Sequence, residues 1–96
     1  MRGLLSDQSV LDRAWALTPQ VSVRPERFGA LLYHFGTRRL SFLKDRRLLD
    51  VVQHLGEVPT ARDACAAAGV EDAALPQFER ALAQLVTTDM IRERAA

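Results

Sequence analysis

The amino-acid sequence predicts an α+β fold in which a small three-stranded antiparallel sheet comes first and a cluster of three helices follows. Short apolar runs with strand character, separated by turn residues, fill positions 21–44. From position 46 to about 88, apolar residues instead recur at helical spacing. The length of 96 residues, with 48% apolar and 26% charged residues, favours one folded domain with a single core.

Residues 7–17 (DQSVLDRAWAL) predict a short N-terminal helix that precedes the sheet. The apolar side chains of this segment recur at helical spacing: Val10, Leu11, Ala14, Trp15 and Leu17. Pro19 then ends the helix, because proline disrupts a helix interior. An extended arm held in place by Trp15 is the alternative interpretation.

Three strands make up the predicted sheet. The segment VSVRP (21–25) alternates apolar and polar residues, and its proline suits a strand end or a sheet edge. The segments on either side of Gly36-Thr37 predict a hairpin with a two-residue type II′ loop, because glycine followed by a small polar residue suits that turn. This loop fixes a register with three opposite pairs: Phe35 and Arg38, Tyr33 and Leu40, Leu31 and Phe42.

The register divides the side chains of the hairpin between two faces of the sheet. One face is uniformly apolar and is expected to pack on the core: Leu31, Tyr33, Leu40 and Phe42. The other face is mixed: Ala30, Leu32, His34, Arg39, Ser41 and Leu43. A slip of one residue would scramble this division, which supports the register.

Three helices are predicted after the sheet. Asp45 is the expected N-cap of a helix over 46–55, and Thr60 is the expected N-cap of a second helix that stops at Gly69. A third helix is predicted over about 73–88, with a stripe formed by Phe78, Leu82, Leu85 and Val86. The second and third helices, joined by GVEDA, resemble a helix-turn-helix unit, so the fold is predicted to be winged helix-turn-helix-like with the sheet placed first.

Little in the sequence suggests catalysis. Two histidines and one cysteine, His34, His54 and Cys65, do not have the spacing of a zinc site, and phosphate-binding or nucleophile motifs are absent. We therefore expect no enzyme activity, metal or cofactor. Apolar runs are too short to span a bilayer and the N-terminus turns polar at once, so we expect a cytoplasmic protein with no membrane contact.

Basic residues cluster in and beside the predicted sheet, although the formal net charge is only +1. They occur in RPER (24–27), Arg38-Arg39 and KDRR (44–47), and together they predict an electropositive surface that suits an acidic partner. A small DNA-binding winged-helix regulator is the rival hypothesis. The third helix is nearly neutral, since Gln77, Arg80 and Gln84 stand against Glu79 and Asp89, and strong phosphate binding needs several cations. We therefore expect no nucleic-acid partner.

The outer edge of the hairpin is the most informative feature of the predicted sheet. An exposed strand edge is a template for another chain. With the two-residue loop, the backbone groups of Arg39, Ser41 and Leu43 point away from the preceding strand and are free to pair. The sequence therefore predicts a docking site at which a peptide adds a strand to the sheet.

The block VSVRPERFGALLYHFGTRRLSFLKD resembles the mycofactocin biosynthesis chaperones, a family of PqqD-like recognition elements for ribosomally made precursor peptides. The similarity extends from LDRAW near residue 11 to MIRER near residue 94, and the segments RFGALLYHFG and RRLSFLK are its specific part. The resemblance implies a winged helix-turn-helix domain that binds a precursor peptide and delivers it to a radical S-adenosylmethionine (SAM) maturase.

The resemblance also implies which residues bind the peptide. The leader segment of the precursor adds to the third strand and lies against the third helix, which gives these residues: Arg39, Leu40, Ser41, Phe42, Leu43, Phe78, Ala81 and Leu85. Residues 21–96 would form the recognition domain, and residues 1–20 would be an N-terminal extension outside the minimal three-strand, three-helix core.

Overall fold

The structure, a computed structural model, describes residues 9–94 and has the predicted α+β architecture. Its strands are β1 (Trp15–Leu17), β2 (Val21–Glu26), β3 (Gly29–His34), β4 (Leu40–Leu43) and β5 (Ile91–Glu93). Its helices are α1 (Arg46–His54), α2 (Ala61–Ala67) and α3 (Leu75–Thr87). The three-stranded antiparallel sheet and the three helices are confirmed. No helix in the described part of the chain combines the length and apolar character needed to cross a bilayer.

The three-stranded sheet has the order β2-β3-β4, with β3 in the middle. Tyr33 lies opposite Leu40 and Leu31 lies opposite Phe42, which confirms the predicted register. Gly29 permits the close approach of the two strands, because a Cβ atom there would lie 1.9 Å from the carbonyl oxygen of Leu43. Any side chain at this position would therefore push β4 away from the start of β3.

The turn of the hairpin differs from the predicted two-residue loop. The N–H of His34 donates to the carbonyl of Arg39 at 3.0 Å, and the N–H of Arg38 donates to the carbonyl of His34 at 2.7 Å. The loop therefore has four residues, 35–38, with Arg38 in the left-handed conformation (φ 63°). Both loops place Tyr33 opposite Leu40, so the register is right although the turn type is wrong.

The face of the sheet that packs on the helices is the mixed one, so the predicted core face is wrong. Ala30, Leu32 and Leu43 are buried, whereas 54% of Leu40 and 60% of Phe42 are exposed. The mixed face can be buried because the ring of His34 has hydrogen-bond partners for both nitrogens. The uniformly apolar face forms the outside of the sheet.

The N-terminal segment forms a strand where a helix was predicted. Within the described part of residues 7–17, a single 3₁₀ turn, Val10–Asp12, precedes β1, which pairs antiparallel with β5; residues 7 and 8 lie outside the described range. Trp15 is only 4% exposed, and its Nε1 donates to the carbonyl of Val10 at 2.8 Å. The alternative of an extended arm held by Trp15 is the one observed.

The predicted helix caps are confirmed. The Asp45 side chain accepts the N–H of Arg47 at 2.8 Å, and the Thr60 side chain accepts the N–H of Asp63 at 3.3 Å. Such bonds satisfy backbone donors that the first turn of a helix leaves free. One hydrophobic cluster joins all three helices to β1, β3, β4 and β5, so the helices cover the inner face of the sheet.

Candidate functional site

The two outer edges of the sheet differ in how many backbone groups they offer. At the β2 edge, the N–H of Phe35 donates to Gln20 at 2.9 Å, so by alternation Val21, Val23 and Pro25 face away from β3. Proline has no N–H, and the N–H of Val21 already donates to Thr18 at 2.9 Å. The β2 edge is therefore blunted, because Val23 retains the one outward N–H among these three residues.

The β4 edge is open, and the turn determines which of its residues point their backbone groups outward. His34 and Arg39 form a hydrogen-bonded pair, so the next such pairs along the ladder are Leu32 with Ser41 and Ala30 with Leu43. The backbone groups of Leu40 and Phe42 therefore point outward. Within residues 9–94 no strand pairs with this side of β4.

The predicted outward groups are thus wrong by one residue. The backbone groups of Arg39, Ser41 and Leu43 face β3, because the loop has four residues and not two. Of the predicted edge side chains, Arg39, Leu40 and Phe42 are exposed, Ser41 is half-buried and Leu43 is buried in the core.

A cleft of about 250 Å³ lies beside the β4 edge, between the strand, the start of α1 and α3. It is lined by Phe42, Lys44, Asp45, Leu48, Gln77 and Ala81. The structure thus brings together two of the sequence-predicted residues, Phe42 and Ala81. Phe78 and Leu85 are buried in the core and do not line the cleft.

Sequence reasoning missed four lining residues of the cleft: Lys44, Asp45, Leu48 and Gln77. Gln77 could have been found, because it lies four positions before Ala81 on α3 and so shares its face of the helix. Leu48 belongs to the apolar stripe of α1, and its position gives no signal that sets it apart from its core neighbours.

The charges at the start of α1 are largely paired. Asp45 accepts from Arg47 at 3.3 Å, and Arg47 also contacts Glu71 at 3.2 Å and places its guanidinium 5.2 Å from the ring centre of Phe78. Burial alone would raise the pKa of Asp45, but the hydrogen bonds and charge of Arg47 outweigh it, so the pKa is lowered. Lys44 makes no ion pair within residues 9–94, so it is a cation available at the cleft.

The outer face of the sheet bears the exposed large apolar side chains of the described chain. These are Phe28, Phe35, Leu40 and Phe42, and the half-buried Leu31 and Tyr33 lie between them. We call these six residues the outer apolar face. Its rings pack in two pairs, Phe28 with Phe42 at 6.3 Å and Tyr33 with Phe35 at 5.0 Å between centroids.

The residues with potential chemistry have structural surroundings. His34 is 2% exposed and bonded to Asp89, and Cys65 is buried with a pKa raised by its burial. Residues 9–94 contain no group of three or more His, Cys, Asp or Glu side chains placed to hold a metal. On α3, the exposed residues Gln77, Arg80 and Gln84 include one cation, whereas strong binding to the phosphates of a nucleic acid needs several.

Comparison with known proteins identifies relatives of this chain. The model of the family described as "Peptide chaperone MftB family" matches residues 14–92. A protein named peptide chaperone MftB from Mycobacterium tuberculosis is 55% identical over 83 residues, which are 86% of this chain and 76% of that protein. Proteins of the same name from Mycobacterium ulcerans and Mycolicibacterium smegmatis are 55% and 54% identical over 80 residues, covering 83% of this chain and 73% and 78% of theirs. No solved structure matches the chain significantly.

These matches confirm the resemblance to the mycofactocin biosynthesis chaperones. A peptide chaperone is not a catalyst, which agrees with the prediction that the chain is not an enzyme. The identity and the extent of the matched region leave one conclusion, that this chain is a member of the peptide chaperone MftB family.

Proposed function

We propose that this chain binds a ribosomally made precursor peptide in mycofactocin biosynthesis and presents it to a radical SAM maturase in the cytoplasm. The peptide adds as a strand to β4. The observation that supports this most directly is the open edge of β4, where the backbone groups of Leu40 and Phe42 point outward beside a cleft. The proposed recognition domain is residues 21–96, in a winged helix-turn-helix arrangement, with residues 1–20 as an extension whose described part packs into the same core through Leu11 and Trp15.

An added strand would present its side chains alternately to two surfaces. Residues on one side face the cleft, where Gln77 and Ala81 are the contribution of α3. Residues on the other side continue the outer apolar face next to Leu40 and Phe42. Each backbone hydrogen bond adds only about 0.5–1.5 kcal/mol, so affinity depends on an apolar side chain that fills the cleft.

The charge of the site favours a peptide with acidic residues. Lys44 lines the cleft, and Arg39 is exposed at the other end of β4. Neither side chain has an ion-pair partner within residues 9–94. A carboxylate of the bound peptide near either end would fix which way the peptide runs along β4.

Amide hydrogen exchange with and without the precursor peptide tests strand addition residue by residue. In the free chain, the N–H groups of Ser41 and Leu43 are expected to exchange slowly, because they face β3, and those of Leu40 and Phe42 are expected to exchange fast. Peptide should slow the exchange of Leu40 and Phe42 specifically. Binding without this alternating change would contradict strand addition to β4.

The role in presentation is tested separately with the purified radical SAM maturase. Modification of the precursor peptide should be faster with the chain than without it. The matched control is the chain mixed with a precursor whose leader segment has been scrambled, for which the chain should give no acceleration.

A further inference from the structure

The outer apolar face gathers the exposed large apolar side chains of residues 9–94 into one patch. Phe28, Phe35, Leu40 and Phe42 are 47–62% exposed, and no residue in the described range covers them. At about 150–250 Å² for each aromatic side chain, these residues leave on the order of 400 Å² of apolar surface in contact with water. A patch of that size on a small protein commonly marks an interaction site.

We infer that the outer apolar face docks the peptide-modifying enzyme, and that the complementary surface of this enzyme has an apolar centre with an acidic rim. This inference rests on the proposed function and assigns the β4 edge and cleft to the peptide and the outer apolar face to the enzyme. The two surfaces adjoin at Leu40 and Phe42, whereas Phe28 and Phe35 belong to the outer apolar face and do not line the cleft, so the face can be disabled at these two residues.

The charges around the face decide the kind of partner. Arg24 lies beside Leu31 on the same face, and Arg38 lies in the turn at its end. Arg38 makes no ion pair within residues 9–94, whereas Arg24 contacts Glu26 at 2.7 Å. A protein surface with acidic groups around an apolar centre would satisfy both the exposed rings and these cations.

The same observations disfavour a second copy of this chain as the occupant. In a two-fold dimer the same patch meets itself, and Glu26, the acidic residue of its three strands, already contacts Arg24, so Arg38 would gain no free acidic partner from these strands. Two faces of about 400 Å² would bury about 800 Å² in total, below the roughly 1,000 Å² of a stable specific interface, and an enzyme reaches that limit by also contacting the bound peptide.

A bound peptide would enlarge the docking surface for the enzyme. The outer apolar face ends at β4, which is the strand that receives the peptide, so alternate side chains of the peptide would extend the face beyond Leu40 and Phe42. The enzyme would then contact the chaperone and the peptide together. We therefore expect the enzyme to bind the peptide-loaded chain more tightly than the free chain.

The test is a pair of double variants with equal charge change. Phe28→Glu combined with Phe35→Glu places acid on the outer apolar face, at turn positions that are outside β4 and do not line the cleft. Ala67→Glu combined with Ala73→Glu is the matched control on the helical side, where both alanines are exposed. We measure the binding of the precursor peptide and of the radical SAM maturase, and the mass of the free chain in solution, after checking the fold by thermal melting.

We expect the face variant to bind the peptide within about twofold of the unmodified chain and to bind the maturase at least about tenfold more weakly, with the control unchanged in both. Normal maturase binding by the face variant would overturn the inference but leave peptide binding at β4 intact. Equal loss of both partners would also overturn it, because the face would then be part of the peptide site. A wild-type dimer that the face variant dissociates would identify a second copy as the occupant, which again overturns it.

Discussion

At the scale of single residues, His34 holds the hairpin turn to the end of α3. Its Nδ1 accepts the N–H groups of Gly36 and Thr37 at 3.0 and 3.1 Å, so the ring proton lies on Nε2 and is donated to the Asp89 carboxylate at 3.0 Å. The carbonyl of Asp89 in turn accepts the Thr18 hydroxyl at 2.7 Å. One buried ring therefore links β3, its turn and the segment before β5.

The carboxylate of Asp89 is predicted to make the stability of the fold depend on pH in the acidic range. The hydrogen bond from His34, together with the charge of Arg92, lowers its pKa below the ordinary 3.8. A lowered pKa contributes stability that is present above about pH 4 and is lost as pH falls below it. Asp89→Asn keeps an acceptor for His34 and tolerates the left-handed backbone (φ 59°), but it cannot titrate.

Denaturant unfolding of both proteins between pH 3 and pH 7 measures this effect. The free energy of unfolding of the unmodified chain should fall more steeply below pH 4 than that of Asp89→Asn, and the two curves should run parallel above pH 5. Parallel curves over the whole range would show that this carboxylate does not couple to folding. Other carboxylates with lowered pKa values, such as Asp12 and Glu71, affect both proteins equally.

At the scale of secondary-structure elements, β4 shows which properties of a hairpin can be predicted from sequence. Its register is predictable, because side chains alternate with period two and the turn position is marked by Gly36. The hydrogen-bond phase, meaning which alternate residues of β4 bond to β3, is not predictable, because two- and four-residue loops give the same register. The His34 ring favours the four-residue loop, since it accepts the N–H groups of Gly36 and Thr37. The buried face of the sheet is the one that the helices cover, and the number of apolar side chains on each face does not reveal which one this is.

The observed phase predicts opposite effects for two neighbouring proline substitutions in β4. The N–H of Leu40 points outward at the first residue of the strand, where proline is tolerated, so Leu40→Pro should stay folded but bind the precursor peptide at least about tenfold more weakly. The N–H of Ser41 faces Leu32, so Ser41→Pro breaks the ladder. An unpaired Leu32 carbonyl costs about 1–3 kcal/mol, and each kcal/mol lowers the melting temperature by about 4–8 °C.

Thermal melts and peptide titrations of both variants make the comparison. Leu40→Ala is the control, since it retains the N–H and is expected to bind the peptide nearly as well as the unmodified chain. A folded Leu40→Pro chain with normal peptide affinity would mean that the peptide docks away from this edge. A stable, unperturbed Ser41→Pro chain would mean that the hydrogen-bond phase is the one first expected from the two-residue loop.

At the scale of the whole molecule, the N-terminal segment belongs to the same core as the helices. Leu11 and Trp15 are buried in the cluster that includes Leu82 and Ile91. The sequence could not reveal this, because the six apolar residues over 10–17 fit a helix as well as a strand, and the strand that decides between them, β5, is more than 70 residues away along the chain. The order of the main strands and helices was predictable, because the spacing of apolar residues and the turn and cap residues nearby indicate each of these elements.

Trp15→Ala is therefore predicted to destabilise the whole protein. Removal of a buried tryptophan side chain costs about 3–5 kcal/mol, in a domain whose total stability is about 5–15 kcal/mol. Arg62→Ala is the control, because its ion pair with Asp12 is exposed at the surface and pairs of that kind contribute about 0–1 kcal/mol. Chemical denaturation checks both, and a Trp15→Ala chain as stable as Arg62→Ala would show that β1 adds nothing to the fold.

The pairing of β1 with β5 also sets the time at which the chain can finish folding. Trp15 lies opposite Glu93, so almost the whole described chain separates two residues that must meet. During synthesis, β1 emerges well before β5, and closing so long a loop costs entropy before any contact is gained. A nascent chain therefore keeps β1 without its partner strand until the residues after α3 have been made, and the fold cannot be completed before then.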